Sequence, residues 1–202
     1  VGSKGQQTRD HIIATAAPIF NVAGFAGASL SAIQEATGLE RGGLYRHFEN
    51  KDALALAAFD YAVRVLEARY DNAQAGQKSA LERLHASITV VAESVHAPAI
   101  RGGCPILNTA IEADDTHAAL RKRAASAMKS WQARLAQLVT NGVATGELLP
   151  STDPRAIAAI LTSALEGAIM TTALLRDYGQ MGAVAQHLHT FVDGLRAKNG
   201  RR

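Results

Sequence analysis

Residues 29 to 54, SLSAIQEATGLERGGLYRHFENKDAL, leave the chain few folds to choose from. The segment reads as two short helices joined by a glycine turn, followed by the start of a third. Ile33 and Ala36 are three apart on the first helix, Leu44 and Phe48 are four apart on the second, and Leu39 follows the turn. Side chains at these spacings share a helical face, so these residues predict one small common core. Gly38 stands where the first helix should end, because glycine takes a positive φ there without a Cβ clash. The second helix keeps an outer face of Arg41, Gly42, Gly43, Tyr45, Arg46 and His47.

That face suits a DNA major groove. Arginine offers a forked donor to guanine or phosphate, and tyrosine and histidine offer shorter hydrogen-bonding groups. The paired glycines cost a helix about 1 kcal/mol each relative to alanine, but they let backbone approach a phosphate or base edge. Lys51, opening the next helix, can reach a flanking phosphate. The plain alternative is a helical hairpin with a solvated polar face. Bulk charge does not decide between them. The chain carries +3, but Arg196, Lys198, Arg201 and Arg202 lie in its last eight residues, and residues 1 to 60 hold five Lys/Arg against six Asp/Glu. A DNA reading therefore rests on where Arg41, Arg46 and Lys51 point.

TGLERGGLYRHFENKDAL resembles the signature of the TetR-type (tetracycline-repressor-like) transcriptional regulators: small-Gly-Val/Leu-x-x-Gly-x-Leu-Tyr-x-His/Tyr-Phe-x-x-Lys-x-x-Leu. The likeness continues upstream through IIATAAPIFNVAGFAGASLSAIQEA and covers roughly residues 8 to 60 without a gap. Further on, GGCPILNTAIEADDTHAALR is similar to one branch of the family. The resemblance implies an N-terminal three-helix helix-turn-helix domain, residues 1–53, and a C-terminal helical domain, residues 54–202, for effector binding and dimerisation. It implies that Arg41, Gly43, Tyr45 and His47 face the groove while Ser29 and Lys51 hold phosphates. Gly43 departs from the hydroxyl residue frequent at that family position.

Composition agrees with an all-α chain of about nine helices. It is 48% hydrophobic with only five prolines and without long Val/Ile/Thr-rich runs. We find no apolar run approaching the roughly 18 residues of a membrane span and no signal-peptide layout at the N-terminus. A single cysteine fits a reducing compartment. These features lead us to expect a cytoplasmic protein without membrane partners.

The first helix is expected from a Thr8 cap to Ala23, with a stripe of Ile12, Ala16, Ile19, Phe20 and Ala23 and a kink at Pro18. A long helix runs from Lys51 to about Asn72, and by resemblance the domain boundary falls within it. Later helices are expected at about 80–95, over ILNTAIEA, from an Asp115 or Thr116 cap to about 141, at about 154–176 and at about 181–197. Asp153 followed by Pro154 is an N-cap with proline at the first helical position. The 154–176 helix is apolar nearly all round and must be covered all round, so part of its surface is assigned to a partner subunit. By resemblance, the last two helices form a homodimer interface.

Several residues invite chemistry. Cys104, in GGCP before a helix, is a candidate redox or electrophile sensor or else a small buried residue at a turn. Glu112, Asp114, Asp115 and His117 resemble a metal cluster but lack a second ligand set, so no metal is expected. His187 and His189 point to different faces and read as surface residues. Neither a phosphate loop nor a nucleophile elbow occurs, so no cofactor and no catalytic residue is expected. By resemblance, a small organic effector occupies a cavity in the C-terminal domain. Inward candidates are Leu107, Asn108, Ile111, Met128, Trp131, Leu135, Glu166 and Met170, with Asn108, Trp131, Glu166 and Met170 preferred as contacts.

Together these readings describe a homodimeric, ligand-responsive regulator that binds a double-stranded pseudo-palindromic operator, as a repressor. Competing readings are a helical enzyme, a redox-sensing regulator acting through Cys104, and an interaction module without DNA binding. An enzyme lacks a paired nucleophile and base.

Overall fold

The computed structural model describes residues 3–197. Among them it forms nine helices and one isolated bridge, Leu148 to Arg196. The helices are α1 Lys4–Gly27, α2 Leu30–Thr37, α3 Arg41–Tyr45, α4 Lys51–Gln74, α5 Ala80–Ser94, α6 Pro105–Ala113, α7 Ala118–Ala144, α8 Pro154–Leu175 and α9 Gly179–Asp193. The fold is all-helical, as expected. Of the basic tail, Lys198, Arg201 and Arg202 lie outside the described residues.

Two compact units divide the chain. One takes the residues up to Leu66 together with Ala99–Ala127; the other takes Glu67–Pro98 together with the chain from Met128 onward.

The first unit is built on α1. Ile12, Ile13, Ala16 and Ala17 bury one face of it against Ile33 of α2, Leu44 of α3, Phe48, and Leu54 and Ala58 of α4. Ala36, expected in this core, is exposed. The inward side of α2 runs through Leu30, Ile33, Gln34 and Thr37 instead, and Ala36 lies off that line. The first helix also begins earlier than expected. Ser3 Oγ accepts the Gln6 N–H at 3.3 Å, while Thr8 sits inside the helix and donates its hydroxyl to Lys4 O at 3.0 Å. Helical dihedrals run through Pro18, and the break comes at Gly24, with φ 73° and ψ 171°. Such angles are open to glycine and nearly closed to other residues.

In the second unit, α9 packs on α5 and α8. Ser79 and Glu82 form a reciprocal cap at the start of α5, and the Glu82 carboxylate also accepts the Lys78 N–H at 2.8 Å. Those backbone bonds, from Lys78 first and then Ser79, hold Glu82 below the usual carboxylate range. Glu147 reaches the same terminus, accepting the Ala80 and Leu81 N–H groups at 2.8 Å each. Asp153 caps α8 as expected, accepting the Arg155 N–H at 2.9 Å and the Ala156 N–H at 3.3 Å. The last helix is shorter than expected. After it, Leu149 N–H donates to Leu195 O and Ala197 N–H donates to Glu147 O, so the chain pairs with the 147–149 segment.

By length and composition, α8 is the one described helix apolar enough to cross a membrane, with a mean hydropathy of 1.6. The expectation concerned an unbroken apolar run; α8 qualifies on its average instead, with Ser, Thr, Gly and Glu interspersed among its apolar residues. Ile157, Leu161, Leu165 and Ile169 of α8 are nonetheless packed inside the second unit.

Candidate nucleic-acid interface

The helix-turn-helix is assembled from short-range bonds. Ser29 Oγ caps α2 by accepting the Ala32 N–H at 3.1 Å, and it lies 2.9 Å from Ser31 Oγ. Gly38 ends α2 in the left-handed region, with φ 67° and ψ 17°. Leu39 then packs against the core, and α3 begins two residues later. The second helix is only five residues long, Arg41–Tyr45. Its end tightens, with His47 N–H donating to Leu44 O at 3.0 Å. Asn50 caps α4, accepting the Ala53 N–H at 2.8 Å. That cap was missed in the sequence, although Asn before Lys-Asp-Ala-Leu is a legible signal.

Burial divides α3 into two sides. Leu44 is 4% exposed and Tyr45 is 40% exposed. Arg41, Gly42 and Arg46 are exposed, and Gly43 and His47 are half-buried. The Arg41 guanidinium lies 5.6 Å from the Tyr45 ring centroid, which aligns two candidate base-contacting groups. A Cβ on Gly42 would meet nothing within 4 Å, and one on Gly43 would touch only the Leu39 side chain, at 3.5 Å. Both glycines thus leave open space that the fold itself does not require. Ser29 is exposed at the start of α2; Lys51, at the start of α4, holds its ammonium 4.7 Å from the Phe25 ring centroid.

Two sequence profiles match the chain. One, described as "Bacterial regulatory proteins, tetR family", matches residues 12–58. The other, "Tetracyclin repressor-like, C-terminal domain", matches residues 80–188. A TetR transcriptional regulator from Chloroflexus aurantiacus, known by crystal structure, is 41% identical, with a TM-score of 0.93 over 96% of this chain and 99% of that one. The chain belongs to the TetR family of transcriptional regulators. The transcriptional regulator AcuR of Cereibacter sphaeroides is 31% identical over 75% of this chain and 69% of its own length. The transcriptional repressor DhaR of a Mycobacterium species is 23% identical over 84% of each chain. This TetR-family chain is therefore a DNA-binding transcriptional regulator and not an enzyme. Regulators of the family bind DNA operators and act as dimers.

The remaining candidate residues of this TetR-family protein are scattered. Asn108 belongs to the first unit, where its amide donates to Asn21 Oδ1 at 3.0 Å, Asn21 O at 3.2 Å and Gly102 O at 2.7 Å. Asn21 in turn donates to Arg101 O and Gly103 O, at 2.9 and 3.1 Å. Trp131, Glu166 and Met170 belong to the second unit. Trp131 Nε1 donates to the Tyr70 hydroxyl at 2.7 Å, with the rings perpendicular. Glu166 is buried, but Met170 is 48% exposed and Ile111 is 66% exposed, so neither of these two points inward as expected. Their helices are apolar on more than one side, and periodicity cannot choose between sides.

Cys104 is half-buried and directly precedes α6, with Pro105 at the first helical position. Glu112 accepts the Phe25 N–H at 2.7 Å and the Ala26 N–H at 2.9 Å. His117, not Asp115 or Thr116, caps α7 by accepting the Leu120 N–H at Nδ1, 3.2 Å away. A crevice of about 30 Å³, room for a water molecule, lies in this unit between Phe20, Phe25, Phe59, Thr109, Glu112 and Leu120.

His189 is not a simple surface residue. Its Nδ1 lies 2.6 Å from His85 Nδ1, and His85 Nε2 lies 3.0 Å from Asp193 Oδ1. Burial lowers the His189 pKa and the neighbouring His85 charge lowers it further, with Asp193 opposing.

Proposed function

We propose that the protein is a homodimeric repressor released from a pseudo-palindromic operator by a small organic effector. Arg41, Gly43, Tyr45 and His47 face the major groove in this reading, and Ser29 and Lys51 hold backbone phosphates. The observation that carries it is the two-sided α3, with Leu44 in the core and Arg41, Gly42 and Tyr45 outside it. Residues 1–53 serve DNA contact, and residues 54–202 serve effector binding and dimerisation. Trp131 and Glu166, both in the second unit, remain the effector candidates, whereas Asn108 belongs to the first unit and Met170 is exposed. The likeness to DhaR, a transcriptional repressor, supports the sign of regulation. The cell compartment proposed is the cytoplasm, where operator DNA is found in bacteria.

Dimerisation is assigned to α8 and α9. Ile160, Ser163, Met170 and Leu174 are exposed along α8, and Gly167 between them has open space at its Cβ position. Positions 160, 163, 167, 170 and 174 alternate by three and four, the spacing of a helix-packing seam. Two such seams close a pair of subunits and set two recognition helices about 34–36 Å apart, in successive grooves. The effector then acts by favouring a dimer whose helices miss that spacing.

Selection of bound sequences from a random duplex pool tests this reading. An enriched inverted repeat, bound with a steep salt dependence, is expected. A folded dimer that enriches nothing, with and without candidate effectors, would overturn it.

A second reading assigns sensing to Cys104, favoured by its half-buried place at the start of α6, where amide N–H groups stabilise a thiolate. Oxidant should then release operator DNA from the wild type and not from Cys104→Ser. Equal responses in both proteins would remove it.

A further inference from the structure

His117 does more than end a loop. Its Nδ1 accepts the Leu120 N–H, and a ring nitrogen that accepts carries no proton, so the neutral ring has its proton on Nε2. Nε2 is buried and makes no hydrogen bond among the described residues; Asp52 Oδ2 lies 3.7 Å away. The ring stands perpendicular to Phe25, with centroids 4.6 Å apart. Phe25 carries the Lys51 ammonium 4.7 Å from its own centroid, and Phe20 stacks parallel to it at 6.5 Å. One imidazole therefore joins the start of α7 to both residues that open α4.

A cap alone needs only Nδ1, and asparagine or serine would supply an acceptor with less bulk. What remains of His117 is directed at α4. The ring fixes the tilt of Phe25, whose face holds a cation by its quadrupole. The Asp52 carboxylate lies 3.7 Å from Nε2, within ion-pair reach, on the His117 side of the α4 terminus. Lys51 is otherwise a flexible point charge on four methylenes, and restricting it before DNA arrives reduces the ordering cost of a phosphate contact.

We propose that His117 is a positioning residue for operator binding. Through Phe25 and Asp52 it holds the first turn of α4 so that the Lys51 ammonium meets a backbone phosphate. This rests on the reading of Lys51 as a phosphate contact, and the test separates the two. Full-length wild type, His117→Asn, Lys51→Gln and the double variant are titrated against the selected inverted-repeat duplex over a range of salt. Asparagine keeps a capping oxygen for the Leu120 N–H, so the melting midpoint should hold while the ring and Nε2 are lost. Lys51→Gln should weaken binding and reduce the salt slope by about 2, roughly one for the lost contact in each subunit of the dimer. His117→Asn should weaken binding several-fold and lower the slope in the same sense. In the Lys51→Gln background it should have almost no further effect.

Wild-type affinity in His117→Asn overturns the proposal, and so does an equal fold-loss in both backgrounds. Wild-type affinity and slope in Lys51→Gln overturn the phosphate reading, and the proposal with it. Should His117→Asn melt early, the same cycle is run with Phe25→Leu, which keeps an apolar side chain and removes the aromatic face; the same outcomes decide.

Discussion

The Glu112 carboxylate fills the space beside Gly24: a Cβ built on Gly24 would lie 2.6 Å from Glu112 Oε1. The same carboxylate accepts the next two backbone N–H groups, Phe25 and Ala26. Charge, turn and glycine form one device that ties α6 to the corner leading into α2.

Gly24→Ala meets two penalties there, a backbone conformation that costs an L-residue about 1–3 kcal/mol and a clash with the carboxylate. Glu112→Ala removes charge-assisted bonds to the Phe25 and Ala26 amides, the first of them partly buried, and should cost about 1–3 kcal/mol. In the Glu112→Ala background the clash is gone, so the two losses should sum to less than their separate values. Denaturant midpoints of the four proteins check this.

Gly42→Ala and Gly43→Ala should behave in the opposite way. Neither added methyl meets a clash, and alanine favours helix over glycine by up to about 1 kcal/mol. Stability should hold or rise while operator affinity falls, because the added methyl stands between backbone and DNA. Melting and DNA titration on the same samples separate the two effects. Unchanged affinity in both variants would show that the groove does not approach this backbone.

The α8 seam predicts assembly. Gly167→Leu places bulk where the single chain has open space, so the fold should tolerate it. If two α8 helices approach there, the dimer dissociation constant should rise at least about tenfold, which is about 1.4 kcal/mol. Leu174→Glu, at a position 75% exposed, should act in the same direction. Sedimentation equilibrium reads both, and a dimer unaffected by either places the interface elsewhere.

The His85–His189 contact predicts an acid-sensitive second unit. The native His189 pKa lies below the ordinary imidazole value of about 6.5, because burial and His85 disfavour a second charge. Between the lowered native value and about 6.5 the unfolded chain binds more protons than the folded one, so stability rises with pH there. The contribution is complete above that window and is lost as pH falls through it. His189→Gln should flatten this part of the stability–pH profile. An unchanged slope would mean that another group titrates there.

Local signals were legible in the sequence because the groups that make them are neighbours along the chain. Ser29 with Ala32, Gly38 after α2, and Asp153 before Pro154 act within one helical turn. The spacing of Leu44 and Phe48 likewise orients α3 on its core, and the signature across residues 29 to 54 carried the family. Tertiary structure alone decided the contacts that join distant segments. Phe25 and Glu112 are 87 positions apart, and His85 and His189 are 104 apart. A carboxylate that caps a remote turn has the same local sequence as one facing water, so Glu112 and His117 looked like members of a metal cluster. Periodicity also left the outward sides of α6 and α8 open. It shows how many sides of a helix are apolar, but which side is covered depends on what else has packed against it. Ile111 and Met170 therefore had no inward direction until the neighbouring helices had taken their places.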